Sequence, residues 1–228
     1  ADLTHGDAIA ELLEAQLAEG GGRFRGIRQS AVWDPSGLRT SSRVAPRGLL
    51  ADPAFRTGFA HLGRLGLSFD SWNYFHQIGE LADLARAFPD TTIILDHVGG
   101  VLGVGPYEGK RDEHFAQWKA GILDAASCPN VSVKLGGLAM HPVGFGFEHR
   151  ETPAGSEELA EAWRPYIETC IEAFGADRAM FESNYPVDGV TCSYAVLWNA
   201  LKRLGAGASA DEKAALFKGT ARRVYRLD

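Results

Sequence analysis

Short apolar segments alternate with longer helical segments along the whole chain, and this alternation constrains the fold more than any other feature. The predicted strands are Phe24–Arg28, Leu67–Tyr74, Thr92–His97, Val131–Leu138 and Arg178–Ser183. Strict alternation of such strands with helices of about ten or more residues indicates βαβ units and a parallel sheet. The sequence therefore predicts an α/β fold built on five parallel strands.

The segments between these strands show helical periodicity. In Asp7–Glu19 the apolar residues recur at helical spacing, and a run of glycines beginning at Gly20 ends the pattern. The other predicted helices are Pro53–Leu65, Ile78–Phe88, Arg111–Ala126, Ser156–Phe174, Ser193–Leu204 and Asp211–Lys218. Two connections, Gln29–Ala51 and Gly136–Gly155, are longer than ordinary strand-to-helix loops. We expect the substrate to bind beneath these two loops.

Two arrangements of a parallel sheet are compatible with this pattern: an open doubly wound sheet, or a (β/α)₈ barrel from which the first strands are absent. The glycine-rich turns at Gly99-Gly100 and Gly103–Gly105 follow a strand but do not open a helix, so they are not phosphate-binding turns of the doubly wound type. Polar residues cluster at the carboxyl ends of several strands, where barrel active sites are built. We therefore favour the barrel.

Composition limits the classes of partner. The 228 residues are 45% hydrophobic and carry a formal charge of −6, which fits a single domain over residues 1–228 and makes nucleic acid and membrane unexpected partners. The three scattered cysteines, Cys128, Cys170 and Cys192, are typical of reduced thiols in a cytoplasmic protein. We expect a small-molecule partner and leave a homo-oligomer as an open alternative.

Strand alternation also predicts which polar side chains share one face. It directs Asp96 toward the helices or the rim, and His97 to the opposite face. If the second face is the barrel interior, five side chains converge on one cavity: Arg28, His97, Lys134, Glu182 and Asn184.

Each of these residues has a structural interpretation as well. His97 is equally compatible with a hydrogen-bonded structural group, and Arg28 and Lys134 could form salt bridges with Glu182 instead of binding a substrate anion. Tyr74 is a substrate-binding candidate, although an aromatic residue in a strand more often belongs to the core. Asp188 is compatible with a cap of the next helix.

Several stretches, taken together and in order, carry a family resemblance. They are Phe24–Arg28, Gly66–Asp70, His76-Gln77, Leu84–Thr91, Leu95–Gly99, Asn130–Leu138, Arg178–Val187 and the closing segment Leu216–Leu227. These stretches resemble the second amidohydrolase family, the TIM-barrel metal-dependent hydrolases that include lactonases and decarboxylases. The resemblance covers nearly the whole chain and is specific to the family but not to a substrate.

The resemblance implies a (β/α)₈ TIM barrel whose first two strands and most of the third are absent from this chain. It implies a hydrolytic site at the barrel mouth that is mononuclear or metal-free, with zinc as the candidate metal. The family places a His-x-His pair on the first strand, single histidines on the fifth and sixth, and an aspartate on the eighth. His76 and His97 match the fifth and sixth positions, and Asn184 replaces the aspartate.

This replacement changes the expected chemistry. A neutral carboxamide is not a useful base, so Glu182 is the carboxylate on the same face that could substitute. His76 and His97 remain as neutral metal ligands, whereas a catalytic zinc normally has three protein ligands. We therefore predict a zinc site that is weak or absent, and no tightly bound zinc at Asn184.

These inferences lead to one functional hypothesis with two rivals. We expect a lactonase-like hydrolase that acts on a small cyclic ester or a related carboxylated carbonyl compound. Arg28, Lys134 and Tyr74 would bind the substrate, and the catalytic residues would be His97, Asn184 and Glu182. The rivals are a decarboxylase on the same scaffold and a non-catalytic binding protein that has lost the catalytic aspartate.

Overall fold

Five parallel strands form the centre of the computed structural model, which describes residues 1–40 and 44–227. They are β1 (Gly26–Ser30), β2 (Ser68–Trp72), β3 (Ile93–Leu95), β4 (Val131–Leu135) and β5 (Ala179–Phe181). Each strand pairs in parallel with the next one along the chain, in the order β1-β2-β3-β4-β5. The prediction of an α/β fold with a five-stranded parallel sheet is confirmed.

Helices connect these strands, and their first turns follow local capping chemistry. The Asp52 carboxylate caps a helix by accepting a hydrogen bond from the Phe55 N–H. Pro53 directly follows Asp52 in the first turn, where no N–H donor is needed. The Ser193 hydroxyl caps another helix in the same way. The principal helices are Ile9–Glu19, Pro53–Arg64, Ile78–Ala87, Arg111–Ala126, Ser156–Phe174, Tyr194–Leu204, Ala210–Ala214 and Thr220–Tyr225.

The chain departs from the predicted boundaries mainly at its end. The predicted helix Asp211–Lys218 is divided into Ala210–Ala214 and a π-helical turn over Ala215–Gly219, and the helix Thr220–Tyr225 follows without having been predicted. None of the helices in the described part of the chain is long and apolar enough to cross a membrane.

The hydrophobic core fills the space between the sheet and the helices. On the helix Pro53–Arg64, Phe55 and Phe59 are fully buried against Phe69 of β2. The rings of Phe59 and Phe69 lie 5.2 Å apart at 76°, an edge-to-face arrangement. Burying each such side chain contributes about 1.5–3 kcal/mol, so this face of the sheet is fixed by packing.

The register of the strands shows which polar residues share the other face. Arg28 pairs with Asp70, and Asp70 pairs with Ile94, so the side chain two residues after Ile94 lies on the same face. That residue is Asp96, and the prediction that it points away from this face, toward the helices or the rim, is therefore wrong. The alternation fails because β3 ends at Leu95 and His97 has a φ of +54°, which turns the imidazole back toward the face that Asp96 occupies.

Candidate active site

The imidazole of His97 lies at the centre of the polar face and is 4% exposed. Its Nδ1 is 2.5 Å from Glu182 Oε1, and its Nε2 is 3.1 Å from Arg28 Nη2. A carboxylate accepts and a guanidinium donates, so Nδ1 carries the proton and Nε2 keeps the lone pair. Gly137 permits this arrangement, because a Cβ at that position would lie 2.6 Å from the His97 Cβ.

A network of two cations and two carboxylates, mostly buried apart from the half-exposed Arg28, lies beside His97. Arg28 Nε is 2.9 Å from Asp96 Oδ2, and Lys134 Nζ is 2.8 Å from Asp96 Oδ1 and 2.6 Å from Asp70 Oδ2. The Tyr225 hydroxyl donates to the same Asp70 oxygen at 2.7 Å. The structural alternative for Lys134 named Glu182 as its partner, but its ion-pair partners are Asp70 and Asp96.

Burial and the neighbouring charges have opposite effects on the pKa values of Asp96 and Lys134. Burial raises the pKa of the Asp96 carboxyl, although Lys134, His97 and Arg28 all oppose the shift. For Lys134, burial disfavours the charged form, but Asp96 and Asp70 outweigh it and raise the pKa of the ammonium well above its usual range. Lys134 is therefore a permanent cation whose charge is already neutralised by protein carboxylates.

Asn184 lines the cavity and directs its amide nitrogen toward a second buried acid. Its Nδ2 donates to Asp188 Oδ1 at 2.7 Å, which leaves the amide oxygen as the free acceptor. Asp188 is 1% exposed, and burial raises the pKa of its carboxyl to about 7, against the lowering effect of the Asn184 hydrogen bond. The following helix is capped by Ser193, so the interpretation of Asp188 as its cap is wrong.

These residues open into a cavity of about 660 Å³ at the carboxyl ends of the strands. Its floor includes Arg28, Trp72, His97 and Asn184. Its walls come from both long loops: Leu38, Arg39 and Thr40 from the first, and Met140, His141 and Pro142 from the second. Of the five side chains expected to converge on one cavity, Arg28, His97 and Asn184 line it, whereas Lys134 and Glu182 are not among its lining residues.

Tyr74 and His76 lie outside the cluster around His97. The Tyr74 side chain is fully buried, and its hydroxyl lies 2.5 Å from Thr40 Oγ1. His76 Nε2 is 3.0 Å from the Trp33 carbonyl oxygen and 3.9 Å from Asp34 Oδ2. Ring contacts run from His97 to Trp72, from Trp72 to Tyr74 and from Tyr74 to His76, at centroid distances of 4.9, 6.0 and 6.1 Å.

The donor atoms around His97 do not fit a divalent metal ion in this arrangement. Both ring nitrogens of His97 are engaged, and the Arg28 guanidinium stands where a cation on Nε2 would bind. The Lys134 ammonium already lies between the carboxylates of Asp70 and Asp96. A metal ion at this position would first have to displace Arg28.

Sequence reasoning missed three residues of the site. Asp70 and Asp96 complete the buried network, and Asp188 holds the Asn184 amide. For Asp70 a signal was available, because Ser68 and Asp70 place two polar residues on one face of a buried strand. For Asp188 the only signal was its spacing of four residues from Asn184.

Comparison with known sequences connects this geometry with a family. The sequence model of the family Amidohydro_2, described as amidohydrolase, matches residues 1–227. A Sinorhizobium fredii protein named "Uncharacterized protein y4mH" is 39% identical over 219 residues, covering 96% of this chain and 66% of the relative. An L-fucono-1,5-lactonase from Burkholderia multivorans is 27% identical over 222 residues, covering 95% of this chain and 69% of the relative. The chain thus spans about two thirds of the length of these curated relatives.

Solved structures agree with the fold. An amidohydrolase from Burkholderia multivorans with bound HEPES superposes with a TM-score of 0.77 at 25% identity, covering 97% of this chain and 72% of the other. A second structure of an amidohydrolase from that organism, with bound zinc, gives a TM-score of 0.73 at 26% identity over 93% and 70% of the two chains. Structural neighbours of this kind are TIM-barrel amidohydrolases, so the predicted fold class is confirmed.

Proposed function

Because this chain belongs to the amidohydrolase family, we propose that it carries the hydrolytic site of an enzyme that opens a small cyclic ester bearing a carboxylate. The observation that carries the proposal is the buried imidazole of His97, which lines the cavity and lies between the Glu182 carboxylate and the half-exposed Arg28 guanidinium. The similarity to an L-fucono-1,5-lactonase supports a lactone as the substrate class.

In this proposal His97 is the general base. Glu182 holds the proton on Nδ1, so the lone pair of Nε2 is the basic site, and the carboxylate stabilises the imidazolium that forms. The φ of +54° at His97 and the glycine at Gly137 keep the ring in this position. A buried imidazole oriented by a carboxylate is a typical proton-transfer group in hydrolytic sites.

Arg28 binds the substrate carboxylate. Its side chain is 49% exposed, and its Nε contact with Asp96 anchors one side of the guanidinium. The Nη2 group, which rests on His97 Nε2, is then free to move to a bound carboxylate, for which two parallel N–H donors are well suited. Substrate binding would thereby release the lone pair of His97 at the moment it is needed.

Lys134 takes a different role from the one the sequence suggested. Its ammonium is committed to Asp70 and Asp96, and Asp96 in turn holds Arg28. We therefore assign Lys134 as a positioning residue for Arg28. Tyr74 is assigned to the support of the cavity wall, because its buried hydroxyl contacts Thr40, a lining residue from the first long loop.

The bond changes follow from these roles. The free amide oxygen of Asn184 accepts a hydrogen bond from water, and His97 Nε2 accepts the other proton as the water oxygen bonds to the ester carbonyl carbon. The bond from that carbon to the ring oxygen then breaks, and the imidazolium returns the proton to the leaving alkoxide. Asp188 acts through Asn184, because it fixes the direction of the carboxamide.

The proposal is tested by measuring ring opening and CO₂ release side by side on the intact protein. The substrates are a panel of sugar lactones and carboxylated lactones, followed by acid release and by CO₂ detection. We expect ring opening without CO₂, and a fall in kcat of about 10²–10⁴-fold in His97→Asn, with a loss in Glu182→Gln as well. The matched control is His114→Asn, because His114 packs against Phe75 and Tyr107 away from the base.

Three outcomes would contradict this function. Stoichiometric CO₂ release would assign the scaffold to a decarboxylase, and ligand binding without turnover would assign it to a binding protein. Ring opening that survives in folded His97→Asn would remove His97 from the base position.

A further inference from the structure

The second long loop folds back on itself at the rim of the cavity. Two short 3₁₀ turns, His141–Val143 and Phe147–His149, face each other across Gly144 and Gly146, whose φ values are +71° and +72°. Gly144 packs against the backbone of Gly103, where an added Cβ would lie 2.2 Å from the carbonyl oxygen. Glycine is required at this close approach, so the fold of the loop is specified by the sequence.

This fold brings two imidazoles onto one carboxylate. His141 Nδ1 is 2.7 Å from Glu148 Oε1, and His149 Nε2 is 3.7 Å from the same oxygen. One ligand atom from each of the three residues lies within 4.8 Å of the others, and within residues 1–40 and 44–227 no other three such side chains meet this way. We call His141, Glu148 and His149 the rim cluster.

Exposure and charge distinguish the rim cluster from an ordinary surface ion pair. The Glu148 side chain is 11% exposed, whereas His141 and His149 are 58% and 70% exposed. In the described part of the chain the ion-pair partners of Glu148 are these two histidines, and the neighbouring Arg150 pairs with Glu158 instead. A nearly buried carboxylate therefore lies beneath two accessible imidazoles, with no permanent cation of the protein opposite it.

We propose that the rim cluster binds one divalent transition-metal ion, with zinc as the best fit. Two imidazole nitrogens and one carboxylate oxygen are a ligand set that zinc takes, with a fourth position left open. Tetrahedral ligands at about 2.0–2.1 Å from zinc lie about 3.3 Å from one another. The two separations from Glu148, 2.7 and 3.7 Å, bracket that value, and all three ligand atoms lie within 4.8 Å of one another, so rotation of the two exposed rings can bring them onto one ion.

The position of the ion follows from His141, which also lines the cavity above His97. The open coordination position would therefore lie at the cavity rim, where it could accept an oxygen of a bound ligand or water. His141 lines the same cavity, but none of the residues that are given a role in hydrolysis belongs to the rim cluster. Its metal binding can therefore be tested whether or not the proposed function holds.

Titration of the metal-stripped intact protein with zinc chloride, followed by calorimetry, tests the proposal. We expect one equivalent to bind, and each of His141→Ala, His149→Ala and Glu148→Gln to weaken the affinity by at least about tenfold. His97→Asn and the control His114→Ala should retain the affinity of the unchanged protein. Circular dichroism of each variant checks that it is folded, and anomalous scattering from crystals grown with zinc locates the ion.

Two results would overturn the proposal. The first is the absence of zinc binding by the unchanged protein. The second is binding that all three rim variants retain but His97→Asn loses, which would place the ion at the barrel mouth instead.

Discussion

Both ends of the parallel sheet hold a cavity lined by arginine, but the two ends use this residue differently. At the amino end, a depression of about 390 Å³ is lined by Arg178, Arg223 and Arg226, among others. Arg178 donates to the carbonyl oxygens of Ala126, Cys128 and Val131 at 3.0–3.2 Å. At the carboxyl end, Arg28 faces the imidazole of His97 and the carboxylate of Asp96.

The difference lies in what the N–H groups satisfy. Backbone carbonyls in partly buried turns need hydrogen-bond partners whatever the protein does, so Arg178 contributes to stability. The contacts of Arg28 are with ionisable side chains, and half of its surface remains open to the cavity. A cavity lined by arginine is thus structural at one end of the sheet and suited to an anionic ligand at the other.

The largest effect we expect is on stability at the carboxyl end. Lys134→Met leaves Asp70 and Asp96 without their shared cation, and removing one partner of a buried ion pair costs about 3–5 kcal/mol. Urea unfolding at neutral pH measures the loss, with the exposed Lys119→Met as the control. An unchanged free energy of unfolding would show that the two carboxylates do not depend on Lys134.

A pH effect of somewhat smaller size should come from Asp188. Its pKa is about 7 in the folded protein against 3.8 for the free carboxyl, so between these values the folded state holds a proton that the unfolded state has released. The free energy of unfolding should therefore fall as the pH rises from about 4 to 7, by about 2–4 kcal/mol. Urea midpoints across this range measure the slope, which Asp188→Asn should flatten and the exposed Asp211→Asn should not. An equally steep slope in Asp188→Asn would assign the proton to another group.

The comparison between the two ends is tested most directly by a pair of arginine variants. Arg178→Met should lower the free energy of unfolding by about 2–3 kcal/mol, because three backbone carbonyls lose a charged donor, while kcat per folded molecule stays unchanged. Arg28→Met should raise KM and change stability little. Paired urea unfolding and steady-state kinetics measure both. A reversed pattern would break the distinction between a structural and a ligand-facing arginine.

The sheet and the helices were predictable because their signals are local. The alternation of short apolar runs and amphipathic helices depends only on residues close in sequence, and it places Arg28, His97 and Glu182 at neighbouring strand ends. The exact ends of strands were less predictable: β3 ends at Leu95, two residues before its predicted end at His97.

The rest of the site depends on backbone geometry that periodicity does not report. The strand register places Asp96 on the face of Arg28 and Lys134, and the positive φ at His97 brings the adjacent imidazole to that face as well. The rim cluster depends on two left-handed glycines within a long loop. Asn184 was recognised as a departure from the family pattern, but its partner Asp188 was revealed only by the folded arrangement.

The smallest effect we expect concerns metal binding at the carboxyl end, where cations of the protein now occupy the positions beside the donors. Asn184→Asp places a carboxylate against Asp188, whose oxygen lies 2.7 Å from the present amide nitrogen. Two adjacent carboxylates repel each other and attract a divalent cation far better than a carboxamide does. We expect zinc affinity at the barrel mouth to rise about tenfold, which corresponds to about 1.4 kcal/mol.

Equilibrium dialysis should be done in a His141→Ala background, so that the rim cluster adds no zinc binding, with Asn184→Ser as the control. If the protein with the unchanged Asn184 already holds stoichiometric zinc through this residue in the His141→Ala background, Arg28 does not exclude a metal from His97. The two ends of the sheet would then differ in some other way.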